Sequence, residues 1–243
     1  YKRQELSSQE IREKFAQAAQ VLRDGRQYAF VLKKDFLQNE DMETYFNQYQ
    51  LKREDAIAEI INTLDAEDIV VSTTGKISRE VYEQSNQIKG GHAQDFLTVG
   101  GMGHASMIAF GIALQKKDKR VYCLDGDGAA LMHMGGMAFI GKQKPQNLVH
   151  ICLNNEAHES VGGMPTGCVG LSYAEVAKTV GYEETYMVDS LQGLKDTLEN
   201  VKEKRKLIFI EIKVSMDSRK DLGRPKETAE ENKNNFMKYH GVM

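Results

Sequence analysis

Cysteine is scarce in this chain of 243 residues, with only Cys123, Cys152 and Cys168 present. An odd number, two of them inside apolar strand-like runs, reads as reduced core thiols in a cytoplasmic protein and not as a disulfide framework. No CxxC pair or closely spaced Cys/His cluster occurs, so the spacing offers no zinc site. No apolar run approaches the ~18 residues that span a bilayer and no signal-peptide pattern opens the chain, so no membrane partner is expected. Positive charge is not in excess. Lysine and arginine number 32 against 35 aspartates and glutamates, a net charge of −3, which leaves no basic footprint for nucleic acid. No GxxxxGK(S/T) string occurs, which rejects a P-loop. No GxGxxG follows a strand and opens a helix, which disfavours a dinucleotide-binding Rossmann domain. Internal repeats and low-complexity tracts are also missing.

What is present is an ordinary globular mixture, 41% hydrophobic and 28% charged, enough for one large domain or one domain plus a piece of another. The first residue is Tyr1 and the opening reads as mid-helix, which predicts a fragment or a chain without its upstream part. Ile11, Phe15, Ala18, Ala19 and Leu22 make one helical face over Ser8–Leu22. Gly25 ends that helix, and Tyr28–Leu32 (YAFVL) reads as a short buried strand that needs a sheet to join. Asn39–Gln50 is polar and acidic, as a linker is.

From Lys52 the order becomes regular. Helix Arg53–Leu64 leads to strand Asp68–Ser72, then to a turn and a short helix. A glycine cluster (Gly100, Gly101, Gly103) precedes a small-residue helix over Ala105–Leu114. Strand Val121–Leu124, a glycine-bearing turn and a helix through Ile140 follow. Strand Leu148–Leu153, helix Tyr173–Val180, strand Thr185–Val188, helix Leu191–Lys204 and strand Leu207–Val214 complete the series. The charged tail from Ser218 ends in a surface helix. Strands alternating with helices, with LVHICL and LIFIEI almost wholly apolar, predict α/β architecture: a doubly wound parallel sheet with helices on both faces. Ligands of such sheets bind outside the carboxyl ends of the strands, so the residues just after strands carry the information.

The first such stretch is Asp125-Gly126-Asp127-Gly128, where a strand hands over to a helix. A glycine-bearing helix start offers backbone N–H groups and a positive dipole end to a phosphate, and Asp127 adds a hard oxygen for Mg²⁺. Alone, the string is more often a tight turn with a capping aspartate. After the next strand comes Asn154-Asn155, by itself only a turn signal. Adjacent strand ends in a parallel sheet can bring Asp127 and an asparagine around one cation, and the combination is far more specific than either part.

This combination resembles the signature of the thiamine diphosphate-dependent enzymes, and the resemblance extends over most of residues 51–215. It implies that Asp127, Asn155 and the carbonyl of Ala157 hold Mg²⁺. Gly128 and Ala129 would hold the diphosphate with backbone amides, and the segment from Ser72 through Thr73, Thr74, Gly75 and Lys76 would line the same group. In the cluster Gly100-Gly101-Met102-Gly103-His104, Met102 would prop the cofactor into its bent form and the Gly100 carbonyl would accept from its pyrimidine amino group. Without the resemblance, Met102 is a core gap-filler and the glycines a sharp turn. Two departures stand out. Glu156 occupies a place where relatives usually carry glycine, so its charge must point away or be paired, and GGMG replaces GSMG.

The strings STTGKISRE, HAQDFLTVGGMGHAS, DGDGAALMHMG and NNEAHESVGGMPT resemble the 2-oxo-acid decarboxylases of this family, the phosphonopyruvate decarboxylases most closely and the sulfopyruvate decarboxylases next. The resemblance implies decarboxylation of a small anionic 2-oxo acid with thiamine diphosphate and Mg²⁺. It divides the chain into the end of a pyrimidine-binding domain (1–38), a linker (39–50) and a diphosphate/Mg²⁺-binding domain (51–243). The family's activating glutamate belongs to the pyrimidine-binding domain, and this chain offers no candidate for it. That surface would come from the same or a neighbouring chain of a homo-oligomer. An acetolactate-type carboligase and a non-enzymatic binding module are the rival readings. His104 and His158 are candidates for holding the distal anion or relaying a proton, and equally for filling polar gaps in their loops. His133, Lys76 and Arg79 are further candidates, and Ser160, Gly162 and Gly163 would close over the substrate.

Overall fold

The computed structural model describes residues 7–32 and 45–242. The chain divides into two compact units, one ending at residue 43 and the other beginning at residue 44. In the first, helix α1 (Ser8–Arg23) opens on a reciprocal capping box. The Ser7 hydroxyl accepts from the Glu10 N–H, and the Glu10 carboxylate accepts from the Ser7 N–H. This helix starts at the Ser7 cap, and the opening of the chain, read from the sequence as mid-helix, lies outside the described residues. Gly25, at φ +74°, ends it. The Phe30 ring lies 4.9 Å from that of Phe15. Tyr28–Leu32, however, is not a strand. A strand exists only by pairing, the sheet recruits none of these residues, and Val31 is 95% exposed. Of the expected linker, residues 39–44 lie outside the described residues, and 45–50 have no regular structure.

The second unit is built on six parallel strands: β1 (Ile69–Ser72), β2 (Asp95–Leu97), β3 (Val121–Gly126), β4 (Leu148–Asn154), β7 (Glu184–Val188) and β8 (Ile208–Lys213). Their order across the sheet is β2-β1-β3-β4-β8-β7. Between β4 and β7, strands β5 (Ala157–His158) and β6 (Met164–Pro165) form a small antiparallel pair. Successive strand side chains point to opposite faces. In β4, Val149, Ile151 and Leu153 join the core under α2 (Arg53–Thr63), α3 (Lys76–Lys89) and α8 (Leu191–Val201). Leu148 and Cys152 join the core under α4 (Ala105–Gln115), α5 (Asp127–Met132), α6 (Gly135–Gln143), α7 (Tyr173–Thr179) and α9 (Ala229–Tyr239). Helices thus cover both faces of a doubly wound parallel sheet, as the sequence predicted.

Several elements differ from the sequence reading. The helix after Asp127 breaks at His133–Met134 into α5 and α6. The helix after β1 is not short but runs for 14 residues. The unforeseen strand β2 forms one edge of the sheet, and the C-terminal helix α9 packs on it and so is not only a surface helix. Asn232 of α9 accepts from the Leu97 N–H and donates to the Asp95 carbonyl, and Phe236 is buried. An edge covered in this way cannot template pairing with another chain. The chain runs from β1 outward to β2 and then returns to the other side of β1 as β3. The carboxyl ends of β1 and β3 therefore flank the point where the winding reverses, the place where such sheets bind ligands.

Two predictions follow from the packing. A Cβ at Gly141 would lie 2.1 Å from the Val180 carbonyl oxygen, a backbone atom that cannot swing aside. Gly141→Ala should force α6 off α7 at a cost of about 3 kcal/mol, or roughly 6–12 °C in Tm for a domain of this size. An unchanged melting curve would refute the close approach. At the sheet edge, Asp95 is fully buried with neither carboxylate oxygen hydrogen-bonded. Burial pushes its carboxyl up to about 7, against the opposing influence of Ser85 and Lys89. The folded state holds this proton more tightly than the unfolded chain, so its contribution is full below about pH 4 and disappears as pH rises through about 7. Asp95→Asn should flatten that fall, on the order of a few kcal/mol, in urea midpoints compared at pH 5 and pH 8.

Candidate active site

A cavity of about 90 Å³ opens at the β1/β3 switch point. Three strand ends feed it. After β1, Thr73, Thr74 and Gly75 lead into α3 at Lys76; after β3, Gly126 leads into α5 at Asp127; after β4 come Asn155, Ala157, His158 and Glu159. No side chain caps α3 at Gly75 or α5 at Gly126. Helix starts left uncapped by their own sequence keep N–H groups and the positive dipole end for something else, and an anion fits.

Asp127 is 4% exposed. Its Oδ2 accepts from the Thr166 hydroxyl at 2.9 Å and from the Cys168 thiol at 3.6 Å. Burial raises its carboxyl above the usual range, and those donors pull the other way. The Tyr173 hydroxyl donates to the Asp127 carbonyl at 2.6 Å, fixing the first turn of α5 from below. Asn155 sits beside it, 4% exposed, its Oδ1 accepting from the Ala157 N–H at 3.1 Å. Buried carboxylate, carboxamide and carbonyl oxygens make a hard, oxygen-only set, and that chemistry fits Mg²⁺. Gly128 has no side chain where one would collide. A Cβ there would meet the His158 ring at 2.9 Å and the Met102 methyl at 3.3 Å. Met102 and His158 therefore converge over the start of α5.

Glu156 is paired, the outcome the sequence required of it. At φ +58° it occupies the left-handed region, and its carboxylate accepts from Tyr45 (2.7 Å), Tyr49 (3.0 Å) and Lys213 (3.3 Å). Burial acts to raise its carboxyl, but these three partners win and hold it low. Asn47 ties the backbone of the same loop, donating to the Asn155 and Val214 carbonyls. Residues 45–49, read as part of a linker, thus brace the loop after β4.

Of the predicted site residues, Thr74, Gly75, Lys76, Met102, Asp127, Gly128, Ala129, Asn155, Ala157 and His158 line this one cavity, and Ser160 lies at its side. Gly100 and Gly101 do not line it, although the Gly100 N–H donates to the Thr74 hydroxyl and ties the two loops together. His104 is turned away. Its Nδ1 lies 3.0 Å from the Gly101 carbonyl oxygen, and its ring is 4.4 Å from His133, with which it lines a separate hollow. Arg79 lines a further cleft beside Thr98 and Val99. Sequence reasoning missed Arg53 and Glu159. Arg53 is 4% exposed and makes a two-point pair with Glu80, and Glu159 bridges Arg53 and Lys76. An arginine at a helix start reads as solvated, and no local signal marks its partners. All three cysteines are buried and free. Cys123, Asp125 and His150 also gather in the core, a spatial cluster that no sequence spacing announces.

The chain matches a family model described as thiamine pyrophosphate enzyme, C-terminal TPP binding domain, over residues 73–212. It is 35% identical over 176 residues to phosphonopyruvate decarboxylase of Streptomyces viridochromogenes, covering 72% of this chain and 43% of that protein. It is 33% identical over 161 residues to sulfopyruvate decarboxylase subunit beta of Methanocaldococcus jannaschii, covering 65% of this chain and 82% of that subunit. Among solved structures, benzoylformate decarboxylase of Polynucleobacter necessarius superposes with a TM-score of 0.58 at 17% identity, covering 70% of this chain and 34% of that one. The chain thus spans less than half the length of the phosphonopyruvate decarboxylases it matches, 43% and 44%. The fold, the matched segment and the residues gathered at the switch point agree: the chain belongs to the thiamine pyrophosphate-dependent decarboxylase family, in its C-terminal cofactor-binding domain.

Proposed function

We propose that this chain, through residues 51–243, is the diphosphate- and metal-holding domain of a thiamine diphosphate- and Mg²⁺-dependent decarboxylase. Its proposed substrate is phosphonopyruvate, converted to phosphonoacetaldehyde and CO₂ in phosphonate biosynthesis. One observation carries this reading: two uncapped helix starts and the oxygens of Asp127, Asn155 and Ala157 meet at a single cavity. Asp127, Asn155 and the Ala157 carbonyl would hold Mg²⁺. The backbones of Gly128, Ala129, Thr74 and Gly75 would hold the diphosphate, with Lys76 beside it. Met102 would set the cofactor's bend, with Gly100 and Gly101 on the pyrimidine side. When bound, the cofactor supplies the electron sink that takes up the electrons left by departing CO₂.

The protein's own tasks are to orient, to exclude water and to place protons. His158 faces the cavity over Gly128 and is suited to holding the substrate's distal anion or passing a proton. His104 faces the turn carbonyls, so it serves the site by fixing the loop that carries Met102.

The cavity is open on one side. The remainder of the binding surface, with the activating glutamate, would come from a pyrimidine-binding domain in the same or a neighbouring chain of a homo-oligomer, residues 1–38 being the end of such a domain. Three buried free thiols suit a reducing cytoplasm. Among the described residues, no helix is long and apolar enough to cross a membrane.

A second reading has its own support. This chain covers 82% of the Methanocaldococcus sulfopyruvate decarboxylase beta subunit. The two substrates differ only in the distal anion, so sulfopyruvate is the alternative. With a pyrimidine-binding domain present, CO₂ release from phosphonopyruvate should exceed that from sulfopyruvate and pyruvate. Preference for sulfopyruvate would move the assignment, and release from none of the three would overturn it.

Two substitutions test the site itself by calorimetric titration with Mg²⁺ and thiamine diphosphate. Asp127→Asn removes a ligand charge and should lose at least the ~10- to 100-fold in metal affinity that even an outer-shell change costs. Gly128→Ala should displace His158 and Met102 and weaken cofactor binding with little change in Tm. Unaltered binding in both variants would separate the cofactor from this cavity.

A further inference from the structure

Between the metal loop and the helices beneath it runs a chain of charge-assisted hydrogen bonds that the cofactor does not explain. Glu80 of α3, 2% exposed, takes both arms of the Arg53 guanidinium at 2.7 Å each. The third arm of Arg53, Nη1, donates to Glu159 Oε2 at 2.7 Å. Lys76 at the start of α3 reaches Glu159 Oε1 at 2.9 Å. The same Oε2 of Glu159 accepts from Asn155 Nδ2 at 3.2 Å. The two cations and two carboxylates cancel, so the assembly sits at the cavity wall without net charge. Burial acts to raise the Glu159 carboxyl, yet the Ser218 hydroxyl, Arg53 and Lys76 hold it down at about 2.

We infer that Glu159 is a positioning residue that fixes which end of the Asn155 carboxamide faces the cation. This rests on the proposal that Asn155 is a metal ligand. A carboxamide has one end that accepts and one that donates, and only its partners decide its orientation. In the observed orientation, Nδ2 meets a carboxylate, which only accepts, and Oδ1 meets the Ala157 N–H, which only donates. Flipping it would set oxygen against carboxylate and NH₂ against N–H, two repulsions in place of two bonds. Oδ1 keeps a second lone pair for a metal ion. Arg53 holds Glu159 at a fixed point because Glu80 pins its planar fork with two parallel bonds, a geometry a lysine could not reproduce. Outer-shell partners of this kind orient metal ligands, and losing one typically costs ~10- to 100-fold in metal affinity.

Two readouts test this on the full chain. The first needs no cofactor: the side-chain NH₂ resonances of Asn155 in the metal-free protein, assigned by their loss in Asn155→Asp. A shifted, well-dispersed NH₂ pair is expected in the parent protein and in Glu159→Gln, which keeps an acceptor. In Glu159→Ala it should collapse to the position of a free amide. The second is Mn²⁺ affinity in the presence of thiamine diphosphate and a pyrimidine-binding domain, followed by electron paramagnetic resonance. It should fall ~10- to 100-fold in Glu159→Ala and stay within about 3-fold in Glu159→Gln, with folding checked by Tm. Identical Asn155 resonances in Glu159→Ala, or unchanged Mn²⁺ affinity in a parent protein that binds the ion, would overturn the inference. A parent protein that shows the shifted pair but binds no Mn²⁺ would overturn the metal-site reading while leaving the Glu159–Asn155 contact standing.

Discussion

All six strands of the main sheet run the same way, and the rest of the molecule follows from that constraint. Parallel pairing forces every connection to cross over through helix or loop, and it collects every carboxyl end on one edge. At that edge β1 and β3 are neighbours although β2 lies between them in sequence, so the loops that leave them diverge and open a crevice. The helices that begin there, α3 and α5, point their amino ends into the same space. Position and polarity are therefore fixed by topology before any particular side chain is chosen.

The side chains then solve a problem the topology creates. A crevice lined with helix starts attracts anions, yet this chain places Asp127, Glu156 and Glu159 around it. Each carboxylate has a different solution. Asp127 keeps only neutral donors, the Thr166 hydroxyl and the Cys168 thiol, and burial works against its charge. It is the one of the three left wanting a cation. Glu156 is settled by two tyrosines and Lys213, and Glu159 by Arg53 and Lys76. Unpaired buried charge is costly, and this division supports the proposal that a metal ion would sit at Asp127.

The framework was legible because long apolar strands and helical faces repeat within a few residues. LVHICL and LIFIEI could only be strands covered on both sides, and Asp127 and Asn155 could be placed at adjacent strand ends from order alone. Strand β2 escaped notice because three residues carry no periodicity, and its pairing is supplied by β1 and by Asn232 far downstream. YAFVL misled in the opposite direction: its composition favours a strand, but no neighbour supplies the ladder. His104 looked available beside Met102, but its ring satisfies the carbonyls of its own turn, a local competition that residue type does not reveal. The Glu80–Arg53–Glu159–Asn155 chain joins α2, α3 and the metal loop across 27 and 106 residues of sequence. A single sequence contains no trace of such a pairing.

This last network bears on how metal and substrate recognition are divided in the site. The loop after β4 carries Asn155 and Ala157, the proposed metal ligands, and next to them His158 to the wall of one cavity. Both ends of the loop are held independently. Its backbone is tied by Asn47, and Glu156 by Tyr45, Tyr49 and Lys213 on one side; Glu159 is tied by Arg53 and Lys76 on the other. A loop clamped at two points can change the side chain between them without moving Asn155 and Ala157. His158 is that side chain, and under the proposed function a change there would alter substrate contact while the loop's two anchors stay in place. Relatives named for phosphonopyruvate and for sulfopyruvate match this chain at nearly the same identity, 35% and 33%, so overall identity does not separate the two substrates and the discrimination has to be sought in single side chains at the cavity.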